Sequence, residues 1–353
     1  MESIYDIIKR ITPPDEAARA AAKRQWDSLA KPLGSLGLFE DVVVNLAALR
    51  GCTDVRIDDR RLLVFCADNG VVAQCVTQCG SGVTAKVAAA IAEGRSSVNP
   101  MASCAGCRVI PADVGMLDFP GHPGVVNCRV RNGTGDISLG PAMTRDECLA
   151  AMLQGARLAM ENARDGAALL LIGEMGIGNT TTAAALVCAL LGLDAHSVAG
   201  RGAGLSDAGL ERKRAVIERA LERNRPDRRD AVDVIAKVGG LDLAAMCGAY
   251  LGAAAGNTPA VVDGFISAAA ALCALRLCPG VKKALVASHV SSEPAGQLLM
   301  NALGLKAPLH ADMRLGEGSG AVMLLPLFDM ALALYRSGQS FAHLGIEAYT
   351  PQK

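Results

Sequence analysis

The chain has 353 residues, 51% hydrophobic and 20% charged, which excludes a disordered segment and allows a large buried core. Lysine plus arginine and aspartate plus glutamate each number 35, so the formal net charge is zero and no basic surplus points to nucleic acid. Aromatic residues are only 3%, too few for a platform on which single-stranded bases stack.

The opening stretch carries charge throughout and has no apolar signal core, so a cytoplasmic protein is expected. Three helices are predicted first, from "ESIYDIIKRI", "PDEAARAAAKRQWDSLA" and "GLFEDVVVNLAALRG", with breaks at Pro13-Pro14 and "KPLGSLG". Five apolar runs follow: "RLLVFCADNG", "CRVIPADVGM", "GAALLLIGEM", "PAVVDGF" and "KKALVASHVSSE". Each reads as a buried strand ending in a polar or glycine-containing loop, and alanine-rich helices separate several of them. The pattern predicts an α/β fold: a doubly wound, mainly parallel sheet with helices on both faces. "LAAMCGAYLGAAAGNTPAVV" reads as a buried helix and a following strand, so no membrane span is expected. "PLFDMALALYRSG" supplies a last helix. Because chain ends often meet, residues 1–51 with 328–353 are expected to form a small helical domain beside a large Rossmann-like catalytic domain of residues 52–327.

In open α/β sheets, ligands bind outside the carboxyl ends of the strands. Asp68-Asn69, Asp113, Glu174, Asp263 and Ser288 to Ser292 each follow one of the five runs, so one rim is expected to collect them. Twelve cysteines without a signal peptide should be reduced thiols. Cys75 with Cys79 and Cys104 with Cys107 suggest a four-thiolate site, but only the second pair has tight C-x-x-C spacing. The five histidines lack ligand spacing. Small apolar filling is the preferred reading of these thiols, and no metal is expected.

Two loops carry chemistry. "GEMGIGNTT" has the glycine spacing of a triphosphate loop, but Asn179 stands where that fingerprint has lysine. Gly173, Gly176 and Gly178 permit close backbone approach, Asn179 or Thr180 can cap the next helix, and its start can hold an anion. A monophosphate fits what remains; an unliganded strand–helix turn is the other reading. Glu174 would repel a phosphate and should point elsewhere, to sugar hydroxyls or a heterocycle nitrogen, unless it is a solvated loop acid. In "RLGEGSGAV", Glu317 between two glycines is either a general base or a first-turn acid favoured by the helix dipole. Lys213 is either a phosphate partner or a solvated helix lysine. Ser288 and His289, adjacent on a strand, would diverge, which argues against a nucleophile pair.

With "KPLGSLG", "CADNGV", "GEMGIGNTTTAAAL", "GRGAGLSDAGLERK", "KVGGLDLAAMCGAYLGAA", "DGFISAAAAL", "SHVSSE" and "MRLGEGSGAV" in this order, the chain resembles the nicotinate-nucleotide–dimethylbenzimidazole phosphoribosyltransferase family over nearly its full length. The resemblance implies a homodimer that needs no cofactor and moves phosphoribose from nicotinate mononucleotide to 5,6-dimethylbenzimidazole, giving α-ribazole 5′-phosphate and nicotinate. It implies Glu317 as general base and Glu174 beside it as a catalytic residue. Gly176, Gly178, Asn179, Thr180, Lys213 and Ser291 (preferred over Ser292) become the nucleotide and phosphate contacts. Asn69, Cys79, Val87 and Leu315 fall in the implied acceptor pocket. The region departs from the family's pattern: Asn69 replaces a histidine, Cys79 and Gly80 replace serine and proline, and Val87 falls near an expected glutamine. A phenolic or purine acceptor, and a weakly active subunit that supports a homologue, are therefore the alternatives.

Overall fold

The computed structural model describes residues 2–350. Six strands form one parallel sheet: β1 (Arg60–Ala67), β2 (Cys107–Gly115), β3 (Val126–Asn127), β4 (Leu169–Met175), β5 (Ala260–Val262) and β6 (Leu285–Ala287). Their order is 3-2-1-4-5-6, so the winding reverses between β1 and β4. The five apolar runs supply five of these strands. The sixth, β3, is two exposed residues long and has no hydrophobic pattern to announce it.

Alternation along β1 divides the core. Leu63 and Phe65 face one layer and Leu62 and Val64 the other. The first layer contains helices Arg145–Arg164, Asn179–Leu191, Leu241–Ala255 and Phe265–Leu277. In Leu241–Ala255 every residue through Ala254 is buried, and its glycines let the helix lie directly against Arg145–Arg164. A methyl group on Gly252 would stand 2.8 Å from Ala156 Cα, closer than real contacts allow. Small residues thus supply the packing that aromatic side chains supply elsewhere.

The second layer contains helices Leu38–Arg50, Gly82–Ala92, Val98–Cys104 and Ser319–Arg336. The terminal helices join it through aromatic contacts: Trp26 lies 5.0 Å from Tyr335 and Phe39 meets Phe328 edge-on at 6.0 Å, between ring centroids. Trp26 and Leu46 share one continuous core with Leu62 and Val64 of the sheet. The first helix, Ile4–Ile8, goes elsewhere. Ile4 and Ile7, three apart on one helix face, pack into the opposite layer against Leu241–Ala255 and Arg145–Arg164.

Ser319–Arg336 is the one helix among the described residues long and apolar enough to cross a membrane. Val322, Leu325, Phe328 and Leu332 are buried in the core. It runs past residue 327 without interruption and ties the sheet's rim to the terminal helices.

Candidate active site

Two glycine-bearing loops meet at the end of β4. A methyl group on Gly173 would stand 2.8 Å from the Gly318 nitrogen and 2.9 Å from its Cα, so only glycine lets the second loop cross the strand here. That loop turns through three successive left-handed residues, Gly316 (φ 85°), Glu317 (φ 58°) and Gly318 (φ 80°). Glycine adopts this backbone freely, whereas a glutamate there is strained by roughly 1 kcal/mol or more. The strained turn directs Glu317 to the start of helix Val98–Cys104, where its Oε2 accepts from the Val98 N–H at 3.1 Å.

Glu174 is the penultimate residue of β4 and is 7% exposed. The Asn179 side-chain nitrogen donates both to Glu174 Oε2 and, at 3.0 Å, to Asp242 Oδ2. Burial pushes the Glu174 carboxyl up to about 8; the Asn179 bond opposes this, and the charges of Asp242, Asp263 and Glu317 reinforce it. Asp242, fully buried at the start of its helix, is raised by the same desolvation to about 6, against bonds from Asn179 and the Leu243 N–H. Burial and the neighbouring acids thus favour the protonated form of Glu174.

The sequence offered Asn179 or Thr180 as the cap of the following helix. The structure assigns that position to Gly178 (φ 93°), because the Asn179 amide is committed to two carboxylates. Thr180 Oγ1 instead accepts from Lys213 at 3.0 Å, and Lys213 also donates to the Gly200 carbonyl at 3.0 Å. Lys213 is wholly buried, which lowers its ammonium to about 8 against the nearby charge of Glu293. It is not the solvated lysine that its charged helix suggested. Asp263, at the end of β5, accepts from the Ala321 N–H at 2.8 Å and so pins the helix that begins after Glu317. Burial raises the Asp263 carboxyl and lowers the neighbouring His289, each opposing the other's shift by its charge.

Several of these groups line a cavity of about 280 Å³. Its polar lining includes Glu174, Asn179, Thr180, Asp263, His289, Ser291, Glu293, Arg314 and Glu317; its apolar lining includes Val87, Met175, Phe265, Ile266 and Leu315. Gly176 lines it too, while Lys213 stands behind Thr180. Ser291 is buried at the wall and Ser292 faces outward. Cys79 and Gly178 line a smaller neighbouring cavity of about 90 Å³ that shares Gly176, Asn179 and Thr180.

Asn69 lines neither cavity. It is 1% exposed, donates to the Ile177 carbonyl at 3.4 Å and accepts from Thr182 Oγ1 at 3.4 Å, behind the glycine loop. The rim also divides. Asp68 and Asp113 bond within their own half and do not reach the cavity. Sequence reasoning did not place Asp242, Glu293 or Arg314 in the site. It put His289 on the rim but expected it to diverge from Ser288, whereas Ser288 Oγ and His289 Nδ1 lie 3.1 Å apart in a hydrogen bond. The available signal for Glu293 was its place in the "SHVSSE" segment after a buried strand. Among the described residues, no group of three or more His, Cys, Asp or Glu is placed to hold a metal ion.

A phosphoribosyltransferase family model matches residues 11–346. The nicotinate-nucleotide–dimethylbenzimidazole phosphoribosyltransferase of Acetivibrio thermocellus is 43% identical over 349 residues, covering 99% of each chain. The protein of the same name from Ruminiclostridium cellulolyticum is 41% identical over 330 residues, or 94% of each chain. The crystal structure of CobT from Thermus thermophilus matches with a TM-score of 0.89 at 39% identity, over 94% of this chain and 100% of that one. By sequence along almost its whole length, and by fold, this chain belongs to that phosphoribosyltransferase family.

Proposed function

We propose that the protein transfers 5-phosphoribose from nicotinate mononucleotide to 5,6-dimethylbenzimidazole, giving nicotinate and α-ribazole 5′-phosphate. The observation that carries this reading is the crossing of the two loops at Gly173 and Gly318, which sets Glu317 in the same cavity as a glycine-rich helix start. A ring nitrogen of the azole attacks C1′ from the face opposite the pyridinium. The new C1′–N bond forms as the old one breaks, and nicotinate leaves with the bonding pair. The attacked azole becomes cationic, and Glu317 takes the proton from its other nitrogen. Val98 holds Oε2 of Glu317, and the proton goes to Oε1.

The monophosphate is assigned to the start of helix Asn179–Leu191, with Gly176, Gly178, Thr180 and Ser291 around it and Lys213 supplying charge through Thr180. There the Asn179, Thr181 and Thr182 N–H groups turn back on the Gly176 and Gly178 carbonyls, and the Thr180 N–H does not. Asn179 serves indirectly, by fixing Glu174. Because its surroundings favour the protonated form, Glu174 is spared repulsion from the phosphate and can hydrogen-bond the departing heterocycle nitrogen. Val87 and Leu315 are assigned to the flat acceptor, beside the base. Asn69 and Cys79, implied as acceptor residues, act on this reading through the loop they back or adjoin.

The strand order supports a Rossmann-like label for residues 52–327. The unpaired state of all twelve cysteines supports a reducing, cytoplasmic setting. We assign a homodimer on the exposed apolar residues Met323, Met330 and Leu334 of helix Ser319–Arg336, a face with the spacing of a packing seam. Sedimentation of the wild type and Met330→Glu tests this: a dimer that the substitution weakens is expected, and a wild-type monomer refutes it.

The activity is tested by mass spectrometry after incubation with nicotinate mononucleotide and dimethylbenzimidazole, benzimidazole, adenine or p-cresol. Equal yields of nicotinate and ribosylated base are expected, highest with dimethylbenzimidazole. Release of nicotinate with none of them would overturn the assignment.

A further inference from the structure

Glu293, at the cavity wall, carries a buried oxygen that the protein leaves unsatisfied. It is 9% exposed, and its Oε1 accepts from the Gly202 N–H at 3.0 Å. Its Oε2 is buried and has no hydrogen-bond partner. A methyl group on Gly200 would collide with this oxygen and stand 2.7 Å from the carboxyl carbon, so the free oxygen packs against the Gly200 backbone. Lys213, whose ammonium donates to Thr180 and to the Gly200 carbonyl, makes no hydrogen bond to the free oxygen. A buried carboxylate oxygen without a donor costs folding free energy, and a ligand that brings a donor recovers it.

The chemistry of the donor nucleotide narrows what that ligand group is. At neutral pH the phosphate is mostly dianionic and would be repelled by Glu293, and the nicotinate carboxylate would be repelled as well. Neither the pyridinium ring nor the ring oxygen of the sugar offers an N–H or O–H. The remaining donors of nicotinate mononucleotide are the two ribose hydroxyls.

We infer that Glu293 recognises the sugar, its Oε2 accepting a hydrogen bond from the 2′- or 3′-hydroxyl of the donor nucleotide's ribose. The inference rests on the nucleotide reading above and adds a specificity to it: the site selects ribose over deoxyribose. Gly202 then sets the orientation of Glu293, and through Thr180, which a methyl on Gly202 would approach at 2.9 Å, the phosphate and sugar contacts share one wall.

The test is calorimetric binding of nicotinate mononucleotide and of its 2′-deoxy and 3′-deoxy analogues, so that it does not depend on turnover. The wild type should bind at least one analogue about 10- to 100-fold more weakly than the ribonucleotide. Glu293→Gln should weaken the ribonucleotide by a similar factor and abolish the discrimination, an outcome that general loosening of the site would not produce. Equal binding of all three by the wild type overturns the inference even if Glu293→Gln does not fold. Discrimination that survives in Glu293→Gln overturns it too. Failure of the wild type to bind nicotinate mononucleotide at all is a distinct result, which removes the donor assignment and this inference together.

Discussion

The two halves of the sheet's rim both end in carboxylates, and they use them differently. On the β1–β2 side, both oxygens of each acid are engaged. Asp68 accepts from Thr84 at 2.6 Å and the Leu117 N–H at 2.7 Å, and Asp113 accepts from the Met116 N–H at 2.9 Å and Arg129 at 2.8 Å. On the β4–β6 side, Glu293 has a buried oxygen with no donor, and Glu317 is held through one oxygen on a strained turn. A carboxylate whose lone pairs are filled by the protein fastens a loop. One left short of donors at a cavity wall is prepared for a ligand. Position at the carboxyl end of a strand does not separate the two cases; the count of filled oxygens does.

The largest expected contrast lies between Glu317 and Asp68. Glu317→Ala should lower kcat by about 10²- to 10⁴-fold with nucleotide binding retained, as read from steady-state kinetics and calorimetry. Near-normal turnover at neutral pH would remove Glu317 from the role of base. Asp68→Ala should do the reverse, costing about 1–3 kcal/mol of stability in denaturant titrations while kcat stays within a few-fold. A kcat loss comparable to that of Glu317→Ala would erase the distinction between the halves.

A pH experiment sharpens the comparison inside the active half. The folded protein holds the Glu174 proton up to about 8, against 4.5 for an ordinary glutamate, so between those values the folded state binds more protons than the unfolded one. The stabilisation from this group is full below about 4.5 and is lost as pH rises through about 8. The fall in Tm from pH 5 to pH 8.5 should therefore be smaller in Glu174→Gln than in the wild type. Equal falls would mean that Glu174 is ionised throughout. The smallest effect concerns the acceptor. Val87 lines the cavity and Asn69 does not, so Val87→Gln should shift the kcat/KM ranking of dimethylbenzimidazole against adenine by a few-fold. Asn69→His should instead cost stability, because Asn69 Oδ1 already lies 2.5 Å from where a methyl on Gly240 would sit. A larger change in acceptor ranking from Asn69→His than from Val87→Gln would reverse this assignment.

The strands were legible because an apolar run that stops at Asp68, Asp113, Glu174 or Asp263 has only one arrangement in a sheet buried on both faces. The crossing loops were legible as motifs, since three glycines around one acid are hard to explain by packing alone. What the sequence hid were partnerships over long separations. Glu293 is held by Gly202, 91 positions away, and Asn179 by Asp242, 63 away, and no local pattern reports either. Lys213 sits in a helix rich in charge, which disguised its burial. Asn69 follows a strand on the rim, as a ligand contact would, but the chain turns it inward against Gly178 and Gly240, and one residue's identity carries no sign of that direction.

Helix Ser319–Arg336 makes the chain's extremities part of its chemistry. One end emerges from the turn that aims Glu317, and the other is clamped where Tyr335 meets Trp26 and the Tyr335 carbonyl accepts from Gln25 at 3.1 Å. It behaves as a rod with its tip in the cavity and its foot in the terminal helices. A protease, or an engineer, that pares away the first fifty residues would leave every cavity side chain in place and yet free the foot of the rod. The damage would register as poor catalysis, and a search confined to the cavity would not find its origin.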